Sequence, residues 1–332
     1  MAQIEYYGIH IPLIREYVEY KRTLGFKMVA EERILNSLSS YACDHEYHTI
    51  GFTKSFVDKW TSPKPMESPK SRMNRICCLR GFSYFLAMKG YETHIPKIPK
   101  CVSNFVPYIF SNTEMISIFK ECDSIYLKRN SNKTIAHIMP CLIRLLYATG
   151  IRIGEALALT HRDIHLEAKY LFLKSTKNGQ DRIVPISESL HKVICDYIDF
   201  KRKFGYDCNE NAFLFINRNR QRCGFGRIRN LFGEILTKAG IQHQGRGKGP
   251  RIHDLRHTFC VRSLAKLSKE GLDMYCSMPI LMTYVGHQSL ASINKYIRAT
   301  NENYPNLLTQ LSAAYKGIFP SVGIDNDDYE EI

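Results

Sequence analysis

The chain has 332 residues, 44% hydrophobic and 23% charged, with a formal net charge of +14. That is the composition of a globular protein with length for one large or two medium-sized cores, and the positive excess favours a polyanionic partner, nucleic acid first. No apolar run approaches the ~18 residues of a membrane helix, and the N-terminus MAQIEYYGIHIPLIREY mixes charges into its apolar residues without a small-residue cleavage site, so neither an anchor nor a signal peptide is expected. The eleven cysteines include no CxxC pair and several sit in apolar helical contexts, which reads as reduced thiols and not as a disulfide framework or zinc site.

Residues 1 to about 95 read as four short helices. Ile11, Ile14, Val18 and, less regularly, Leu24 share one face of the first, which Gly25 can stop. Ile34, Leu38 and Tyr41 repeat the pattern in the second, and the third holds the single tryptophan, Trp60. The fourth places Met73, Ile76, Leu79, Phe82 and Phe85 inward and leaves Arg72, Arg75 and Arg80 for the outside. A linker follows, broken by Pro96, Pro99 and Pro107 and kept basic by Lys97 and Lys100. Ser111-Asn112-Thr113-Glu114 then forms a capping box that opens the next helix.

A strongly apolar helix, NKTIAHIMPCLIRLLYATG, ends at Gly150. Arg152 follows at once among apolar residues, a costly position unless it has a partner; Glu155 is the local one. The stretch HRDIHLEAKYLFLKSTKNGQDRIVPI predicts three strands, with Leu171 and Leu173 alternating against Tyr170, Phe172 and Lys174, and Asn178-Gly179 as a hairpin turn. Lys177 stands just before that turn, with Lys174 and Arg182 as neighbouring cations. An amphipathic helix leads to an arginine-rich segment carrying Arg218, Arg220, Arg222 and Arg227, then to the loop HQGRGKGPR with Arg246 and Lys248. That loop lacks the GxxxxGK[ST] order and does not follow a strand, so nucleotide binding is rejected in favour of contact with a phosphate backbone.

RIHDLRHTFCVRSLAKL predicts a helix with His253 and Arg256 on one face. His253 and His257 have the spacing of helical metal ligands, but no third ligand is evident and no metal is expected. Beyond an expanded interval at GLDMYCSMP, YVGHQSLASINKYIRAT supplies His287 and Tyr296. Leu307, Leu308, Leu311 and Ala314 then form one apolar stripe, and Asp325, Asp327, Asp328, Glu330 and Glu331 make an acidic end. An arginine, two histidines and a tyrosine within one block suit attack of a phenol on a phosphodiester. The arginine neutralises the non-bridging oxygens, the histidines move protons, and the tyrosine is the nucleophile.

The series Arg152, Lys177, His253-x-x-Arg256, Gly286-His287 and Tyr296, with His287 and Tyr296 nine residues apart, resembles the tyrosine recombinase (phage integrase) family of site-specific DNA recombinases. The resemblance is close over roughly residues 111–315 and loose before them. It implies a mainly α fold with a small antiparallel β-sheet. Residues 1–98 would be a four-helix, SAM-like core-binding domain, 99–110 a linker, 111–318 an α+β catalytic domain and 319–332 a disordered acidic tail. Arg152 and Arg256 would clamp the scissile phosphate with His287, Lys177 would be the general acid, His253 the base, Tyr296 the nucleophile, and Glu155 a supporting residue. Arg72, Arg75, Arg80, Lys97, Lys100, Arg218, Arg220, Arg222, Arg227, Arg246 and Lys248 would contact duplex DNA. The expected assembly is a homotetramer on two DNA sites, monomeric when free, cytoplasmic, away from membranes and without a cofactor. A catalytically silent DNA-binding regulator and a type IB topoisomerase are the alternatives. The first should have lost one of the six polar residues, and the Gly-His motif and the helix after Tyr296 disfavour the second.

Overall fold

The computed structural model describes residues 8–101, 107–128, 134–174, 181–217, 219–245, 249–272 and 274–286. The chain divides into two compact units, Met1–Asn104 and Phe105–Ile332.

Unit 1 is built from α1 (Ile11–Thr23), α2 (Val29–Asp44), α3 (Lys54–Thr61) and α4 (Pro69–Met88). Their starts are written locally. Pro12 stands in the first turn of α1, Thr53 accepts the Phe56 N–H at 3.3 Å, and Ser68 accepts the Ser71 N–H at 3.1 Å ahead of Pro69. Helix α4 packs against the other three, and its Leu79, Phe82 and Leu86 are fully buried beside Ile14, Leu35 and Trp60. The expected inward position of Leu24 is not realised: α1 stops at Thr23, and Leu24 is 54% exposed.

A second correction concerns Arg75, expected outside the bundle. It is 6% exposed. Its Nε and Nη2 donate to the two carboxylate oxygens of Glu67 at 2.9 and 2.6 Å, Nη2 also to the Ser62 carbonyl at 3.0 Å, and Nη1 to the Trp60 carbonyl. The guanidinium lies 4.9 Å from the centre of the Trp60 ring. Helix α3 ends facing α4, and the chain leaving it presents carbonyls that no helix satisfies; a planar fork with five donors meets them. Arg72 and Arg80 are half-buried. Arg72 Nε donates to the Thr61 carbonyl at 2.8 Å, and Arg80 to the Pro96 carbonyl at 3.0 Å and the Tyr84 hydroxyl at 3.1 Å. Lys97 and Lys100 are exposed on the extended segment that follows.

Unit 2 contains α5 (Asn112–Lys128), α6 (Thr134–Thr149), α7 (Ile153–Ala156), α8 (Glu188–Lys203), α9 (Phe225–Lys238), α10 (Asp254–Lys269) and α11 (Met274–Val285). Its strands are β1 (Ile164–His165), β2 (Tyr170–Leu173) and β3 (Arg182–Pro185). The expected capping box forms: the Ser111 N–H reaches Glu114 at 2.8 Å and the Glu114 N–H reaches Ser111 Oγ at 3.2 Å. Helix α6 is apolar on nearly every side and becomes the hub, in contact with α5, α7, α8, α9 and α10. The strands form an antiparallel sheet in the order β1-β2-β3, with Leu171 opposite Val184 and Leu173 opposite Arg182. Leu171, Leu173 and Val184 face the core as the alternation predicts. Phe110, at the end of the stretch expected as a linker, belongs to this unit: it is buried, and its N–H donates to Thr258 Oγ1 at 3.0 Å. The expanded interval after α10 is largely helical, since α11 begins at Met274. The hairpin apex with Lys177, the apolar stripe at 307–314 and the acidic end lie outside the described residues.

Candidate active site

The site grows from the end of α6. Gly150 leaves the helix at φ +62°, and a Cβ there would stand 2.3 Å from Cδ1 of Phe259 on α10. Only glycine allows both the left-handed turn and that approach. The turn aims the Gly150 carbonyl at Arg256, whose Nη1 donates to it at 2.7 Å. It also sets Arg152 immediately before α7. Arg256 is 2% exposed, and its Nη2 donates to the carbonyl of Val285. Arg152 Nη2 donates to the next carbonyl, Gly286, at 2.6 Å. Two arginines 104 positions apart in the chain therefore converge on consecutive peptide groups, at the step just before His287.

Glu155 closes the arrangement. Its Oε1 accepts from Arg152 Nη1 at 2.8 Å and from Arg182 Nη1 at 3.2 Å; its Oε2 accepts from the Arg152 backbone N–H at 2.8 Å and from Arg182 Nη2 at 2.6 Å. Burial by itself pushes this carboxyl up. The bonds from Arg182, from the Arg152 N–H and from the Arg152 side chain outweigh it and hold the pKa below the ordinary carboxylate range. Gly286 sits at φ +69°, where an added Cβ would stand 3.1 Å from Arg182 Nη1 and 3.5 Å from Arg152 Nη1. The glycine lets the turn lie directly against both guanidinium groups. Arg152 and Arg182 share the single carboxylate of Glu155, and Arg256 adds a third guanidinium bound to backbone carbonyls, so the cluster keeps positive charge for an anion.

His253 stands just ahead of α10 and is exposed. Its ring is 4.9 Å from that of the buried His257, at an interplanar angle of 88°. Among the described residues no group of three or more His, Cys, Asp or Glu is placed to hold a metal. The two cations that compete locally with Lys177 are both engaged: Lys174 pairs with Asp163 at 3.2 Å, and Arg182 with Glu155. Tyr284 stacks on Phe259, and burial pushes its phenol up to about 12, the wrong direction for a nucleophile. Lys177, His287 and Tyr296 lie outside the described residues, as do Arg218, Arg246 and Lys248.

The arginine-rich segment is a tight turn. Asn217 Oδ1 accepts the N–H groups of Asn219 and Gln221 at 2.9 and 3.1 Å, and Arg220 is exposed at φ +60°. Arg222 donates to the Gly154 carbonyl at 3.0 Å, which ties this turn to α7 beside Arg152. Arg227 is exposed in the first turn of α9. Sequence reasoning missed the role of Arg182, which it treated only as a rival of Lys177. The available signal was charge balance, since one carboxylate placed between two arginines is more stable than one beside a single arginine.

The chain matches the phage integrase family over residues 111–303. It is 26% identical over 306 residues to the putative integrase/recombinase y4rB of Sinorhizobium fredii, covering 91% of this chain and 97% of that protein. It is 25% identical over 245 residues to the tyrosine recombinase XerC of Oceanobacillus iheyensis, covering 71% and 72%. Its fold is similar to that of the Tn1549 transposon integrase solved in complex with transposon right end DNA, with a TM-score of 0.60 at 18% identity over 88% of this chain and 99% of that one. A lambda integrase dimer bound to a core site aligns with a TM-score of 0.56 at 15% identity, over 85% and 94%. The converging arginines lie within the matched residues, and the chain belongs to the phage integrase family, the tyrosine-type site-specific recombinases.

Proposed function

We propose that this protein cuts and rejoins duplex DNA at specific sites through a 3′-phosphotyrosine on Tyr296, using neither metal nor nucleotide. The observation that carries the reading is the convergence of Arg152 and Arg256 on the Gly286 and Val285 carbonyls. It sets two permanent cations beside the start of the segment that leads to His287 and Tyr296. Arg152, Arg256 and His287 bind the non-bridging oxygens of the scissile phosphate. Tyr296 Oη bonds to phosphorus as the bond to the 5′-oxygen breaks. His253 takes the phenolic proton, and Lys177 gives one to the departing 5′-oxygen. A phenol with a pKa near 10 needs both the base and the cationic clamp at neutral pH. The phosphotyrosine conserves the energy of the bond, so a 5′-hydroxyl on the partner duplex reverses the step without ATP.

Unit 1, with exposed Lys97 and Lys100 near its C-terminal end, provides a second DNA-contacting surface, and Arg220, Arg222 and Arg227 contact the phosphate backbone. Four subunits act on two sites, each coupled to the next by the apolar stripe from Leu307 to Ala314. Truncation after Asn303 should leave single-site binding near normal and abolish two-site complexes on native gels.

The decisive test is a nicked suicide substrate. Wild type in EDTA should form a protein–DNA adduct that survives a denaturing gel, and Tyr296→Phe should bind the site without forming one. An adduct that needs a divalent ion, or that persists in the Tyr296→Phe variant, would refute the proposed chemistry.

A further inference from the structure

Within the cluster, Arg182 has no place in the chemistry just described, yet it is as closely held as the arginines that do. Its side chain is 11% exposed, and both its Nη groups are spent on Glu155. It stands at the foot of β3, opposite Leu173, and thus at the base of the hairpin that leads to Lys177. It also lies against the Gly286 turn. One side chain therefore touches the hairpin base, α7 and the segment leading to His287.

We propose that Arg182 is a positioning residue for strand cleavage, which neutralises Glu155 so that Arg152 keeps its charge for the phosphate. The inference rests on the reading in the preceding section. Glu155 accepts four hydrogen bonds, two of them from Arg182. With both arginines present, the Arg152–Glu155–Arg182 triad carries one net positive charge. Remove Arg182, and Arg152 and Glu155 become a neutral ion pair. The opposite charges of such a pair largely cancel at the phosphate, whereas a net positive charge does not, and a site shielded from water widens that difference. The released carboxylate would also face the anionic phosphate with two of its acceptor positions empty. Arg182 thus acts through Glu155 and Arg152 and does not touch the substrate itself.

The experiment is single-turnover adduct formation on the nicked substrate, with site binding and thermal unfolding measured in parallel. Arg182→Gln should bind DNA and slow cleavage on the order of 10²-fold, the scale for disturbing an aligned reacting group. Arg182→Lys retains the charge but loses the two-pronged geometry, so it should recover part of the rate. Removing the carboxylate as well, in Glu155→Gln/Arg182→Gln, should cleave faster than Arg182→Gln alone. On a substrate with a neutral methylphosphonate at the scissile position, the deficit of Arg182→Gln should shrink, because less cationic charge is required. If Arg182→Gln does not fold, Arg182→Lys carries the same comparison between the two substrates. Wild-type rates in Arg182→Gln would overturn the proposal. So would a deficit that is equal on both substrates and unrelieved by Glu155→Gln, since that is the behaviour of a residue with a merely structural role. Failure of wild type to form any adduct would instead refute the underlying cleavage reaction.

Discussion

Replacing Gly150 by alanine perturbs the joint that holds the site together, and the structure sets its size. The backbone at φ +62° is left-handed, which costs an L-residue about 1–2 kcal/mol. The new Cβ would also stand 2.3, 2.8 and 3.0 Å from Cδ1, Cγ and Cε1 of Phe259. Phe259 packs against the core of α10 and α11 and cannot simply swing away, so overpacking adds about 1–3 kcal/mol. The expected loss is about 2–5 kcal/mol, a large share of the roughly 5–15 kcal/mol that stabilises a typical domain. Urea unfolding followed by far-UV circular dichroism should show a lower midpoint at unchanged slope. In a Phe259→Ala background the overlap is gone and only the backbone term of about 1–2 kcal/mol should remain. Adduct formation should fall further than stability does, because the Gly150 carbonyl is the partner of Arg256 Nη1. A Gly150→Ala protein within about 0.5 kcal/mol of wild type would refute the argument, as that is the range of an ordinary surface substitution. An equal cost in both backgrounds would refute the steric part alone.

Arg75→Ala should destabilise the protein by about 1–3 kcal/mol, since it leaves the Trp60 carbonyl without its buried donor and Glu67 without its partner, yet leave the salt dependence of DNA affinity unchanged. Arg220→Ala should do the reverse, with little change in stability and a log–log salt slope smaller by about 0.9, the value for one lost phosphate contact. Tyr284→Phe should keep full adduct formation, because that phenol is buried and held up near 12; loss of the adduct would move the nucleophile to α11. The carboxyl of Glu155 has a lowered folded-state pKa, so its contribution to stability is complete above its unfolded value of about 4.3 and is lost as pH falls through the folded one. Acid titration of stability should show that loss in wild type, and Glu155→Gln should flatten it.

Much of this protein is written in local chemistry that the chain carries without its fold. The Ser111–Glu114 box, the alternation of Leu171 and Leu173, and the strongly apolar α6 each depend on neighbours within a few positions. Such features read correctly from one stretch at a time. The order Arg152, Lys177, His253, Arg256, His287, Tyr296 is likewise a property of the string, and it was enough to indicate the family. What the string left open is which segments meet. Periodicity turned Arg75 outward with its fellow arginines, but the end of α3 faces that side of α4 and offers it carbonyls and Glu67. The anchors of Arg152 and Arg256 are backbone carbonyls of Gly150, Val285 and Gly286. Every residue has a carbonyl, so none advertises itself in sequence. Arg182 looked like a spare cation on a hairpin, and only the folded chain shows it bound to Glu155 of α7. A guanidinium acquires its role from the acceptors that tertiary contact brings within about 3 Å, and side-chain identity alone does not name them.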